Sequence, residues 1–145
     1  MTRHPIIVSA CLLGLSTRYD GGDAINHELI ETLKGKNIIP VCPEQLGGLP
    51  TPRPRCEITT GGGKDVLEGR AKVIDEHGKD VTANFIKGAE EVLKTARLTG
   101  ALKAVLKENS PSCGVHSISR CGARTKGVGV TTALLKKAGM KATGI

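Results

Sequence analysis

The run Ile6-Ile7-Val8-Ser9-Ala10-Cys11 is the stretch on which the fold turns. Its apolar, mostly β-branched residues point to both faces, the pattern of a short parallel strand covered on two sides. A glycine-rich loop from Gly14 to Asp23 follows. Asn26 then stands where it can cap a helix reaching about Lys34, with Ile30 and Leu33 facing inward and Gly35 as the stop. Asn37 to Val41 reads as a second strand. Pro40 is taken as its end or a bulge, because proline cannot donate to a ladder.

Further along, Pro43 to Thr60 reads as loop, with four prolines and the pair Gly47-Gly48. Val66 to Ile74 alternates weakly and, with His77-Gly78 as a turn, suggests a β-hairpin insertion. Asp80 or Thr82 opens the longest helix, to about Leu98, with Val81, Phe85, Ala89, Val92, Leu93 and Ala96 as its apolar stripe and Gly100 as its end. Ala101 to Leu106 is a third buried strand. A second long loop, Lys107 to Val128, precedes a short helix from Thr131 to Gly139 and a last strand, Met140 to Thr143. This alternation predicts an α/β fold: one domain over residues 1–145, a small parallel-sheet, Rossmann-like unit with helices on both faces and a β-hairpin insertion.

Composition narrows the function. The chain has 145 residues, 39% hydrophobic but only 1% aromatic, so Tyr19 and Phe85 are its whole aromatic supply and the core is aliphatic. Twenty-one Lys and Arg against 14 Asp and Glu give a net charge of +7. A basic surface attracts anions, including nucleic acid. The cations are scattered, however, and the platforms on which single strands stack are missing. A small polar substrate is therefore favoured over tRNA or another polynucleotide. The apolar stretch before Cys11 is too short for a signal peptide, and no run is long enough to cross a membrane. A cytoplasmic protein is expected.

Five cysteines, an odd number, argue against a disulfide framework and for metal or redox chemistry. Cys11 follows the first strand, Cys42 ends the second, and Cys113 lies in the loop after the third. Topology thus brings three thiols to the carboxyl edge of one sheet, where open α/β sheets bind ligands. Thiolates are soft ligands for zinc or iron–sulfur clusters. Cys42-Pro43 and Ser112-Cys113-Gly114 favour a cluster, whose ligands often precede proline. Three thiolates on a four-iron cluster leave one iron open. Cys56, Cys121 or His116 could instead complete a tetrahedral zinc site. Cys56 and Cys121 are otherwise spare thiols. Gly61-Gly62-Gly63-Lys64 is no phosphate-binding loop, since Asp65 follows the lysine where Ser or Thr is needed. Gly129 and Thr131 begin a helix that could hold an anion or merely be capped.

Four stretches carry a resemblance: Val8-Ser9-Ala10-Cys11-Leu12-Leu13-Gly14; Arg18-Tyr19-Asp20-Gly21; Cys42-Pro43-Glu44-Gln45-Leu46-Gly47-Gly48 with Leu49 to Arg53; and Lys107-Glu108-Asn109-Ser110-Pro111-Ser112-Cys113-Gly114. They resemble the bacterial thiouracil desulfidase family. So do the segment from Lys64 to Ala89 and Gly127 to Thr131 with the helix after it. The resemblance implies a four-iron, four-sulfur cluster on Cys11, Cys42 and Cys113, with Glu44 and Ser110 as catalytic side chains. It also implies hydrolytic removal of sulfur from a thiolated pyrimidine or nucleoside, giving uracil and hydrogen sulfide from thiouracil. Glu44 would act as general base, or else pair with Arg53 or Arg18. Ser110 would donate to charge developing on the ring, or serve only the turn before Pro111. Arg18, Tyr19, Asp20 and Ser112 are expected to contact substrate, Tyr19 by stacking. The chain departs from the family pattern at Arg55-Cys56 and between His116 and Lys126. The competing reading is a non-catalytic iron–sulfur or zinc protein acting as redox sensor or RNA-binding module.

Overall fold

The computed structural model describes residues 3–145. Strand β1 (Ile6–Ser9) is buried along its whole length. It is followed by a single 3-10 turn over Ala10–Leu13. Helix α1 (His27–Leu33) opens on Asn26, whose side chain accepts from the Leu29 amide at 2.9 Å, as the capping pattern predicts. Strand β2 (Ile38–Val41) pairs only with β1, so it is an edge strand. Pro40 therefore sits inside the strand in unbroken register opposite Val8, with no bulge. An edge tolerates the missing donor.

The segment 43–60 is not all loop. It contains helix α2 (Pro43–Leu46) and strand β3 (Cys56–Ile58). Val66 belongs to helix α3 (Gly63–Leu67), and strand β4 (Val73–Asp75) pairs antiparallel with β3. The inserted antiparallel pair thus exists, but its first strand lies ahead of the position the alternation suggested. His77-Gly78 is a turn, closed by the bridge from Ile74 to Asp80. Helix α4 (Thr82–Thr99) ends on Gly100 in the left-handed conformation, where a residue without Cβ costs least.

After strand β5 (Lys103–Leu106), the second long segment carries a hairpin of its own, β6 (Ser117–Arg120) and β7 (Ala123–Lys126). Helix α5 (Val130–Lys137) and strand β8 (Lys141–Gly144) complete the chain.

The main sheet runs β2-β1-β5-β8, all parallel. Alternate residues of β1 explain its two covered faces. Ile7 packs with Val92, Ala96 and Leu135 of α4 and α5, while Ile6 and Val8 pack with Leu12, Leu29 and Leu33 on the α1 side. A third apolar cluster, centred on Phe85, Ile58, Val73 and Ile118, fastens the two small antiparallel sheets to α4. Strand order reverses between β1 and β5, and the crevice at such a switch point opens at the carboxyl ends of the strands. Among the described residues no helix is long and apolar enough to cross a membrane.

Candidate metal centre and its cavity

Cys11 sits in the 3-10 turn directly after β1, and Cys42 is the residue between β2 and α2. Cys113 lies in the tight turn between β5 and β6. All three line one cavity of ≈ 160 Å³ at the carboxyl edge of the sheet.

Helix α2 places Glu44 in the same cavity. α2 is held against α4 by a contact only glycine permits: a Cβ on Gly88 would fall 2.0 Å from the Pro43 carbonyl oxygen. The Glu44 carboxylate is gripped from two sides. Ser112 Oγ donates to Oε1 at 2.6 Å, and Arg53 Nη2 donates to Oε2 at 3.4 Å. Arg53 also donates to the Thr17 carbonyl at 2.9 Å and approaches Cys42 Sγ at 3.9 Å, tying the 14–23 loop to the cysteine. Of the two partners considered for Glu44, Arg53 is the one it has.

The two serines divide their work. Ser110 Oγ accepts from the amides of Ser112 and Cys113 at 3.2 and 3.1 Å, organising the cysteine turn while still lining the cavity. Ser112 is buried and lies behind the wall, with its hydroxyl on Glu44. The turn is secured from below by α5. The amides of Val130, Thr131 and Thr132 bond to the Pro111 and Ser112 carbonyls, and Thr132 Oγ1 donates to the Cys113 carbonyl at 2.9 Å. Those bonds consume the N-terminus of α5, so it offers nothing to an anion.

At the mouth of the cavity, Arg18 and Arg55 lie on the Tyr19 ring, with guanidinium carbons 5.6 and 5.5 Å from its centroid. Asp20 stands apart. It is exposed and accepts from the Gly22 amide within its own loop. Of the residues expected to contact substrate, Arg18 and Tyr19 therefore face the cavity, whereas Asp20 and Ser112 do not line it.

The family model for 2-thiouracil desulfurase matches residues 6–144. The chain belongs to the 2-thiouracil desulfurase family. The uncharacterized protein YbbK of Bacillus subtilis (strain 168) is 42% identical over 139 residues, which cover 94% of this chain and 92% of that relative. The solved structure of TudS, a 4Fe–4S-dependent thiouracil desulfidase, matches with a TM-score of 0.84 at 41% identity, over 98% of this chain and 91% of that one.

Thiols are soft donors for zinc or an iron–sulfur cluster. Among the described residues no three His, Cys, Asp or Glu side chains are grouped as one metal ion requires. Four thiols, those of Cys11, Cys42, Cys56 and Cys113, nevertheless line one cavity. Burial, and after it the Glu44 carboxylate, pushes the thiols of Cys11 and Cys42 above their usual range. The same two causes, in the same order, push Cys113 and Cys56 up to about 12. A metal centre held by such thiols would release protons as it binds.

Glu108 secures the far end of the Cys113 turn. Burial would raise its carboxyl, but the amides of His116, Ser117 and Val115, with the His116 ring at 2.7 Å, outweigh that and hold it at about 2. Arg55, Lys107 and Ser119 line the cavity although no sequence signal marked them as site residues, and Cys56, read above as a fourth ligand or a spare thiol, lines it too. Ser119 arrives on the unforeseen β6–β7 hairpin. Cys121 is exposed at the tip of that hairpin and its amide donates to the Glu57 carboxylate, away from the cavity.

Proposed function

We propose that this chain hydrolyses the C=S bond of a thiolated pyrimidine, converting thiouracil to uracil and hydrogen sulfide, with a four-iron, four-sulfur cluster held by Cys11, Cys42 and Cys113. The observation that carries the reading is the convergence of those thiols, from the segments that follow three different strands, on one cavity that also contains Glu44. A cluster on three thiolates supplies one iron with an open position, a soft Lewis acid for a thiocarbonyl sulfur.

The chain's own groups do the rest. Glu44 is the general base for the attacking water. One of its oxygens takes the Ser112 hydroxyl and the other faces Arg53, so the carboxylate cannot rotate away from the cavity. Ser112 is accordingly a positioning residue that acts through Glu44. Ser110 accepts two amides, and its own proton, which the Ser112 hydroxyl oxygen at 3.3 Å can accept at rest, is turned to charge developing on the pyrimidine ring. Tyr19, with the Arg18 and Arg55 guanidiniums over its ring, gives the cavity a planar aromatic and cationic surface against which a flat ring can pack. Free base and nucleoside both fit this chemistry.

Glu44→Gln tests the reading. The variant keeps the iron and sulfide content of the wild type and loses about 10²–10⁴ in turnover of thiouracil, the usual worth of a general base. Full activity in that variant removes Glu44 from the chemistry.

A further inference from the structure

Six charged side chains line the cavity, and all but one are accounted for. Arg53 faces Glu44. Glu108 points its carboxylate away, onto the amides of Val115, His116 and Ser117. Arg18 and Arg55 have the Tyr19 ring. Lys107 differs from these. It is half-buried at the end of β5, beside the switch in strand order, and its amide is fixed by Ser9 Oγ at 3.0 Å. Its ammonium donates to the backbone carbonyl of Glu108 at 2.9 Å, and among the described residues it forms no ion pair. It lines the same cavity as Cys11.

A half-buried ammonium without a carboxylate is costly, and natural sites keep one where an anion faces it. Three thiolates carry more negative charge than the core of a four-iron, four-sulfur cluster carries positive. A loaded site is thus anionic within the cavity that Lys107 lines.

We propose that Lys107 is the counter-charge of the metal centre, a positioning residue that holds the cluster's net charge, and hence its reduction potential. The proposal rests on the cluster reading above and extends it to a residue that neither binds iron nor reacts. The physical basis is that cluster potentials follow net charge, hydrogen bonding and solvent exposure. Removing a neighbouring positive charge makes addition of an electron harder.

The experiment is potentiometry of the anaerobically reconstituted protein, followed by the electron paramagnetic resonance signal of the reduced cluster, in wild type, Lys107→Met and Lys107→Arg. Iron and sulfide are measured in each. The methionine variant is expected to reduce about tenfold less favourably than wild type, roughly 59 mV more negative for a one-electron couple. The arginine variant, which keeps the charge, stays close to wild type. A potential unchanged in Lys107→Met overturns the proposal. So does an equal shift, or equal loss of the cluster, in both variants, because that reports packing and not charge. Loss of the cluster in Lys107→Met alone, with Lys107→Arg loaded, supports it. A wild type that holds no cluster defeats the function proposed above and this inference with it, and that failure is read on the wild type before any variant is made.

Discussion

Glu108→Gln probes how the protein holds its third cysteine in place. The wild-type carboxylate gathers the amides of Val115, His116 and Ser117 and the His116 ring, the closest at 2.7 and 2.8 Å. These donors belong to the segment that follows Cys113 and leads into β6. A carboxyl held at about 2 instead of its ordinary 4.5 favours its charged form by roughly 3 kcal/mol. Solvent at its partly exposed rim screens some of this, leaving about 2 kcal/mol. Gln offers one oxygen in place of two and turns an NH₂ toward groups that are themselves donors. The variant should lose about 2 kcal/mol in urea unfolding at neutral pH and matched iron content, or roughly 6 °C in Tm for a chain of this size. The pH dependence has a defined sign. Because the folded carboxyl lies below its unfolded value, its contribution is complete above about pH 4.5 and drains away as pH falls toward 2. The stability gap between wild type and Glu108→Gln must therefore narrow over that window. A gap under about 0.5 kcal/mol at neutral pH, or one that does not depend on acid, refutes the reasoning.

Two other substitutions address the geometry around Glu44. Ser112→Ala deletes the 2.6 Å bond to the carboxylate and should lower kcat about 10- to 100-fold, as expected when a charged acceptor loses a strong donor, with KM for thiouracil and iron content little changed; a KM effect without a kcat effect would place Ser112 on the substrate instead. Gly88→Ala puts a methyl group against the Pro43 carbonyl and should cost about 1–3 kcal/mol of stability by pushing α2 off α4, with a fall in kcat as Glu44 moves. Unfolding curves and turnover measured on the same preparation check both parts.

The parts of the fold that were legible in the sequence are those with one dominant signal. β1 is an unbroken apolar run, α4 shows its stripe over 18 residues, and Gly100 and Asn26 mark helix ends by their own conformational chemistry. β3, β6 and β7 were illegible because they are only three or four residues long and none has two adjacent apolar residues. Their pairing depends on the tertiary cluster around Ile58 and Ile118, not on local propensity. Pro40 misled for a related reason, since whether a strand is an edge is decided by its neighbours.

The site followed the same rule. Strand-to-loop order was enough to bring Cys11, Cys42 and Cys113 to one edge. The division between Ser110 and Ser112 was not readable, because it depends on a bond between residues 68 positions apart. Asp20 sits next to Arg18 and Tyr19 in the chain, yet its loop turns it outward onto the Gly22 amide.

The central claim is that three thiols from the segments that follow three strands hold one cluster. Iron, acid-labile sulfide and zinc should be determined together, with an absorption spectrum, on protein reconstituted without oxygen, for wild type and Cys42→Ser. The account predicts about four irons and four sulfides per wild-type chain, no stoichiometric zinc, and loss of both iron and sulfide in Cys42→Ser. Stoichiometric zinc in the wild type, no metal after reconstitution, or a normal iron content in Cys42→Ser would contradict it.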